Sequence, residues 1–196
     1  VDRFHYSGEG WSYGPASSPL RFPDSVVGEV SPVDFEVISR RGCDLSPIDA
    51  GSVGGRLRLT SFVWPHDLHR HERLQAALAV AADFPVVVDE APAASWLSVV
   101  LESSVDDGVL TVVWHSVTRQ YWPPSEVSTV SEIIGAAGDR MPIAHIAMES
   151  PVFRTNRSDG EAQYRAAEVT VQLMGTDAEP VLLGTVADHG VPVTMA

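Results

Sequence analysis

The feature that most constrains the fold is an alternation of helical and strand-like segments between residues 67 and 148. Asp67 is suited to cap a helix N-terminus, and apolar side chains follow it at helical spacing. The helical positions are Leu68, His71, Leu74, Leu78 and Ala81. The later segments are a strand over 86–88, a helix after Pro92, a strand over 109–114, a helix after Pro123 and a strand over 143–148. This alternation predicts a doubly wound, mainly parallel, Rossmann-like α/β sheet.

The end of the chain departs from this rhythm. Two strand-like segments, 168–174 and 181–186, are joined by a short turn with no helix between them, which predicts a final antiparallel hairpin. The run over 109–114 is the most continuous apolar strand in the chain. We therefore expect it to be a central strand that is buried on both faces.

The N-terminal part is more irregular. Residues 1–34 are rich in Gly, Pro, Ser and aromatic residues, which predicts short hairpin or loop structure. Strands are expected over 35–39 and 57–63, with a long polar loop between them. The predicted organisation is an irregular segment over 1–34 and one α/β domain over 35–196.

Composition limits the classes of function. The net charge is −13, and all 13 basic residues are arginines, so the overall field repels a phosphate backbone and disfavours nucleic-acid binding. The sequence has no apolar run of about 18 residues, so we expect no membrane span. A single cysteine, Cys43, fits a reducing compartment, and we expect a cytoplasmic protein.

Candidate site residues lie just after the predicted strands, where open parallel sheets bind their ligands. Carboxylates at such positions can accept hydrogen bonds from a ribose diol or an adenine amine, but they can also cap the next helix. The candidates are Asp44, Asp49, Asp89, Glu90, His115, Ser116, Gln120, Tyr121 and Glu149. For Asp89, ahead of Pro92, capping is at least as good an interpretation as ligand binding.

His115 is the candidate general base, because imidazole changes its charge near neutral pH. The alternative is a hydrogen-bonded structural histidine at a strand end. Ser116 is not expected to be a nucleophile, since the G-x-S-x-G elbow of such hydrolases is absent around it.

Two further patterns do not indicate a binding site. Three histidines, His66, His69 and His71, lie close together, but no H-E-x-x-H motif accompanies them, and we predict no metal site there. Glycines at 51, 54 and 55 resemble a phosphate-binding loop, but the chain contains no lysine for a P-loop. We interpret these glycines as a turn that precedes no helix.

Several long motifs together resemble an uncharacterised bacterial family, domain of unknown function 2332. The motifs are RRGCDLSPID (40–49), LRLTSFVWP (57–65), VLTVVWHSVTRQY (109–121), IAHIAMES (143–150) and Asp188-His189-Gly190. The resemblance covers nearly the whole chain. By this resemblance, family members have a helical region, a strand and a GASAGLN-type turn before the segment that matches Val1 to Tyr6. The resemblance therefore implies that the first βα unit is absent from this sequence.

That turn is similar to the first cofactor motif of Rossmann-like methyltransferases, which bind S-adenosylmethionine. The resemblance implies that Asp44 takes the place of the ribose-binding acid and Asp89 that of the adenine-side acid. It also implies a catalytic or substrate segment from His115 to Tyr121. The leading hypothesis is a methyltransferase-like domain that binds S-adenosylmethionine or a related nucleotide when complete; the alternative is a nonenzymatic binding or scaffold domain.

An absent central strand would leave its neighbours with unpaired backbone groups and exposed apolar faces. We expect a second copy of the chain, an upstream fragment or a rearranged N-terminal segment to cover them.

Overall fold

A computed structural model describes residues 2–102, 108–150, 166–186 and 190–196. The chain forms two compact units, Val1–Pro92 and Ala93–Ala196. Its architecture is mixed α/β. The predicted division between residues 34 and 35 stays a prediction. Within the described ranges, no helix combines the length and the apolar composition that crossing a bilayer requires.

The first unit opens with the short hairpin that the turn-forming residues predict. Its strands are β1 (His5–Gly8), β2 (Trp11–Tyr13), β3 (Arg21–Phe22) and β4 (Val26–Val27). β1 pairs antiparallel with β2 and parallel with β3. The rings of Tyr6 and Phe22 stack 5.2 Å apart across the second pairing. Burial, followed by the nearby Tyr13 and Asp2, raises the pKa of Tyr6 to about 12.

Two helices follow, α1 (Val53–Ser61) and α2 (Leu68–Asp83). The expected strand over 57–63 is wrong, because most of this segment belongs to α1. The Ser52 side chain caps α1 by accepting a hydrogen bond from the Gly55 N–H at 2.9 Å. A Cβ at Gly55 would overlap the Asp49 carbonyl oxygen, so glycine is required for this close approach. The glycines therefore belong to a helix start, and our interpretation of them as a turn that precedes no helix is wrong.

The prediction for α2 is confirmed, including its cap. The Asp67 carboxylate accepts a hydrogen bond from the Arg70 N–H at 3.1 Å. Of the predicted stripe, Leu78 is buried and Leu68 is 67% exposed, while Val80, which was not part of that stripe, is also buried. Propensity and pattern agree here, since an Ala- and Leu-rich segment with one apolar face favours a helix.

A parallel strand pair completes the first unit. β5 (Arg41–Asp44) lies beside β6 (Val87–Glu90) in parallel register, with Asp44 opposite Glu90. The expected strand over 35–39 is wrong: strand structure begins at Arg41 instead, and Phe35 and Ile38 are 63% and 66% exposed. The apolar alternation of these residues was therefore not sufficient evidence for a strand.

The second unit has two helices, α3 (Ala93–Val100) and α4 (Pro124–Gly138). They confirm the helices expected after Pro92 and Pro123. Together with the chain around β8 (Ile143–Glu149) they form the main apolar core. Its buried members are Ala94, Leu97, Leu101, Val130, Ile134, Ala137, Met141 and Ile143.

The sheet of this unit is mixed. Its other strands are β7 (Thr111–Ser116), β9 (Ala167–Leu173), β10 (Val181–Val186) and β11 (Val193–Met195), and their order is β11-β10-β9-β8-β7. β7 and β8 are parallel, whereas β8–β9, β9–β10 and β10–β11 are antiparallel. The final hairpin, β9 and β10, is confirmed. A mainly parallel sheet is not confirmed.

The central position expected for β7 is wrong within this unit. β7 lies at the end of the strand order, and its described pairing is with β8. Val112 and Trp114 are each 51% exposed, while the intervening side chains are half-buried. An unbroken apolar run thus does not by itself show that both faces of a strand are covered.

Candidate functional site

The candidate site lies at the carboxyl ends of the parallel strands β7 and β8. His115 is opposite Ala147 in the strand register. Side chains alternate between the two faces of a strand, so His145, Ala147 and Glu149 share one face of β8. The register brings His115 onto that face, next to both polar side chains.

Three side chains form a hydrogen-bonded chain on this face. His115 Nδ1 lies 2.7 Å from Glu149 Oε1, and His115 Nε2 lies 3.1 Å from His145 Nε2. The side chains of His115 and Glu149 are only 12% and 17% exposed. Trp122 contacts the same imidazole, with ring centroids 5.2 Å apart. We call Glu149, His115 and His145 the triad.

A strained turn after β7 completes the carboxylate's environment. Val117 has a φ of 51°, a left-handed conformation that a β-branched residue rarely adopts. This turn directs the backbone N–H groups of Thr118 and Arg119 to Glu149 Oε1, each at 3.2 Å. Strain of this kind is held by the surrounding structure and is typical of functional sites.

Thr118 adds an unsatisfied polar atom beside the triad. Its hydroxyl is buried and has no hydrogen-bond partner among the described residues. A buried hydroxyl without a partner costs free energy, so such an atom is usually explained by a ligand, a water molecule or an ion.

Burial and neighbouring groups shift the pKa values of Glu149 and His145, the two ends of the triad. Burial is the largest influence on Glu149 and raises its pKa, but hydrogen bonds from His115 and from the Arg119 and Thr118 N–H groups lower the pKa overall. Burial, then His115 and Arg119, lower the pKa of His145 from 6.5 to about 4. At neutral pH Glu149 is therefore a carboxylate and His145 a neutral imidazole.

This arrangement suits acid–base chemistry. The ionised Glu149 accepts a hydrogen bond from the Nδ1–H group of His115. Its negative charge stabilises the imidazolium that forms when His115 gains a second proton. The triad places two imidazoles in line with a carboxylate. Such an arrangement can accept a proton from a substrate and hold it at a distance from the substrate.

The structure places the other predicted catalytic residues outside the triad. Gln120 and Tyr121 lie in a 3₁₀ turn over Arg119–Tyr121. The Gln120 amide donates to the Val117 carbonyl at 3.3 Å, and Tyr121 is 79% exposed. Their proposed part in catalysis stays a prediction.

The predicted cofactor acids lie in the first unit. Asp44 ends β5 with an exposed carboxylate, one oxygen of which accepts the Ser46 N–H at 2.7 Å. Asp49 accepts the Gly51 N–H at 2.8 Å and so stabilises the turn ahead of α1. Asp89 lies 3.1 Å from an Arg41 guanidinium nitrogen. Their role in cofactor binding stays a prediction.

The three clustered histidines are mostly surface residues. His69 is 92% exposed and lies 3.7 Å from Glu72, and the His66 ring is near Trp64. Over the described part of the chain, no group of three or more His, Cys, Asp or Glu side chains is arranged so that it could hold a metal ion. Asp188 and His189, from the last motif of the sequence, lie outside the described residues.

Sequence reasoning identified His115 and Glu149 as strand-end residues but missed His145. The signal was present, because His145 and Glu149 are four residues apart in one strand and therefore share a face. The missing information was the register between β7 and β8, which only the paired structure provides.

The fold and the triad define a mixed α/β protein with polar side chains gathered at the carboxyl ends of two parallel strands. The chain belongs to the family described as "Uncharacterized protein conserved in bacteria (DUF2332)", whose model matches residues 1–195. This confirms the family resemblance. No curated protein and no solved structure matches the chain.

Proposed function

We propose that the protein is a methyltransferase-like enzyme in which His115 is the general base, held by Glu149. The observation that carries the proposal is the 2.7 Å hydrogen bond between His115 and a carboxylate at the carboxyl ends of parallel strands. Ligands of open α/β sheets bind at that end of the strands. A Rossmann-like arrangement of the α/β domain is part of this proposal.

The base would act on the nucleophile of a small-molecule substrate. Removing a proton from a hydroxyl or amine exposes a lone pair, and Glu149 stabilises the positive charge that His115 then carries. General-base groups of this kind contribute roughly 10²–10⁴-fold to a rate. S-adenosylmethionine would supply the electrophilic methyl group.

Of the predicted cofactor acids, Asp44 fits a ribose best. It is exposed at the end of a parallel strand, and its hydrogen bond to Ser46 uses one carboxylate oxygen. The other oxygen is suited to accept from a ribose hydroxyl. Asp89 is less suited, because Arg41 already neutralises its charge.

Calorimetry with S-adenosylmethionine tests the cofactor. We expect binding by the full-length protein, and we expect Asp44→Asn to weaken it by roughly 10- to 100-fold, because a hydrogen bond to a charged group contributes about 1.5–3 kcal/mol. Asp177→Asn, in an exposed turn, is the matched control and should leave affinity unchanged. Absence of binding at millimolar ligand would contradict the proposal and favour the nonenzymatic alternative.

We also propose that the chain self-associates through β7. In the described part of the second unit this strand pairs only with β8, and its Val112 and Trp114 side chains are exposed. Edges of this kind pair readily with another strand. Light scattering should give a mass above the 21.1 kDa of one chain, and Trp114→Arg should reduce it. A monomer at all concentrations would contradict this proposal.

A further inference from the structure

The triad contains one imidazole that the proposed chemistry has not used, His145. It is half-buried in β8, and its Nε2 lies 3.1 Å from Nε2 of His115. Its described side-chain hydrogen bond involves Nε2, so Nδ1 has no hydrogen-bond partner among the described residues.

The hydrogen bonds of the triad determine which nitrogen atoms carry protons. A carboxylate can only accept, so His115 must carry a proton on Nδ1 to bond Glu149. Two facing Nε2 atoms at 3.1 Å must share one proton. When His115 is neutral, that proton belongs to His145, and the lone pair of His145 lies on Nδ1.

We infer that His145 is the proton-accepting end of a relay in which His115 and Glu149 retain the proton. The relay rests on the acid–base function proposed above. A substrate proton bonds to His145 Nδ1, the N–H bond at His145 Nε2 breaks, and a new N–H bond forms at His115 Nε2. The substrate keeps the electron pair, His145 ends neutral in its other tautomer, and His115 ends as an imidazolium beside Glu149.

The electrostatics of the cluster support this direction of transfer. Burial, then His115 and Arg119, disfavour a positive charge on His145 and lower its pKa to about 4. Glu149 is hydrogen-bonded to His115 and not to His145 in the described contacts. The relayed proton is therefore more stable on His115 than on the ring that receives it.

Nitrogen NMR of the histidine side chains tests the relay without any substrate. At neutral pH the spectrum should show His115 protonated on Nδ1 and His145 protonated on Nε2, because these tautomers satisfy both hydrogen bonds. When acid adds one proton to the triad, His145 should stay neutral above its pKa of about 4, and its proton should move from Nε2 to Nδ1. His69, whose exposed side chain lies outside the triad, is the internal control and should show no such tautomer exchange.

A His145 that keeps one tautomer through the step, or that itself becomes the cation, would overturn the relay. In Glu149→Gln the tautomer exchange of His145 should be weakened or lost, because the His115 imidazolium that drives it loses its anionic partner. An exchange that is unchanged in Glu149→Gln would overturn the role of Glu149. Failure of S-adenosylmethionine to bind would contradict the cofactor proposal alone, since the NMR experiment contains no ligand.

Discussion

Replacing Ile134 with alanine is expected to destabilise the second unit by about 3–4 kcal/mol. Ile134 lies in the middle of α4 and is 1% exposed. It belongs to the cluster that joins α3, α4 and the start of β8. Truncating it removes buried methyl groups and leaves a cavity that close-packed neighbours only partly fill.

Urea denaturation followed by circular dichroism measures this change. The midpoint should fall while the dependence of the unfolding free energy on urea stays the same. Val99→Ala, at a position of α3 that is 66% exposed, is the control and should change stability by no more than about 0.5 kcal/mol. A loss below about 1 kcal/mol in Ile134→Ala would mean that the helices do not pack on the sheet as described.

The second large effect is expected from Glu149→Ala, at about 2–4 kcal/mol. One carboxylate oxygen accepts from His115 and from the N–H groups of Thr118 and Arg119. Without it, three donors lose their acceptor at a part-buried site, and the left-handed Val117 turn loses two of the hydrogen bonds that hold it. Glu149→Gln keeps an acceptor oxygen and should lose less.

Thermal or urea unfolding of both variants provides the measurement, and Glu132→Ala, on the exposed side of α4, is the matched control. The pKa of Glu149 is lower in the folded protein than its ordinary 4.5, so its stabilisation is complete above that value. It is lost as the pH falls through the lowered folded value, and this loss should be absent in Glu149→Gln. If Glu149→Ala is as stable as the wild-type protein, the carboxylate of the triad has no structural role and the prediction is wrong.

Local patterns predicted the elements in which several signals agree. α2 combines a capping Asp67 with an apolar stripe, α4 begins at a proline, and β9 and β10 are separated by a segment too short for a helix. In each case the structure depends on interactions within a few residues, which the sequence displays directly.

The same reasoning failed where hydrophobic alternation was the only signal used. Residues 57–63 alternate in hydrophobicity like a strand, yet the Ser52 cap and the close approach of Gly55 to Asp49 start a helix before them. The expected strand over 35–39 depended on alternation alone.

The sequence by itself determined the mixed α/β class, the family and the polar residues at the strand ends, because periodicity and local capping are properties of neighbouring residues. Only the tertiary structure decided that β7 ends the sheet of its unit, and that His145 lies against His115. Strand order and register arise from pairings between segments some 30 residues apart, where a shift of one residue would move His145 to the opposite face of the sheet.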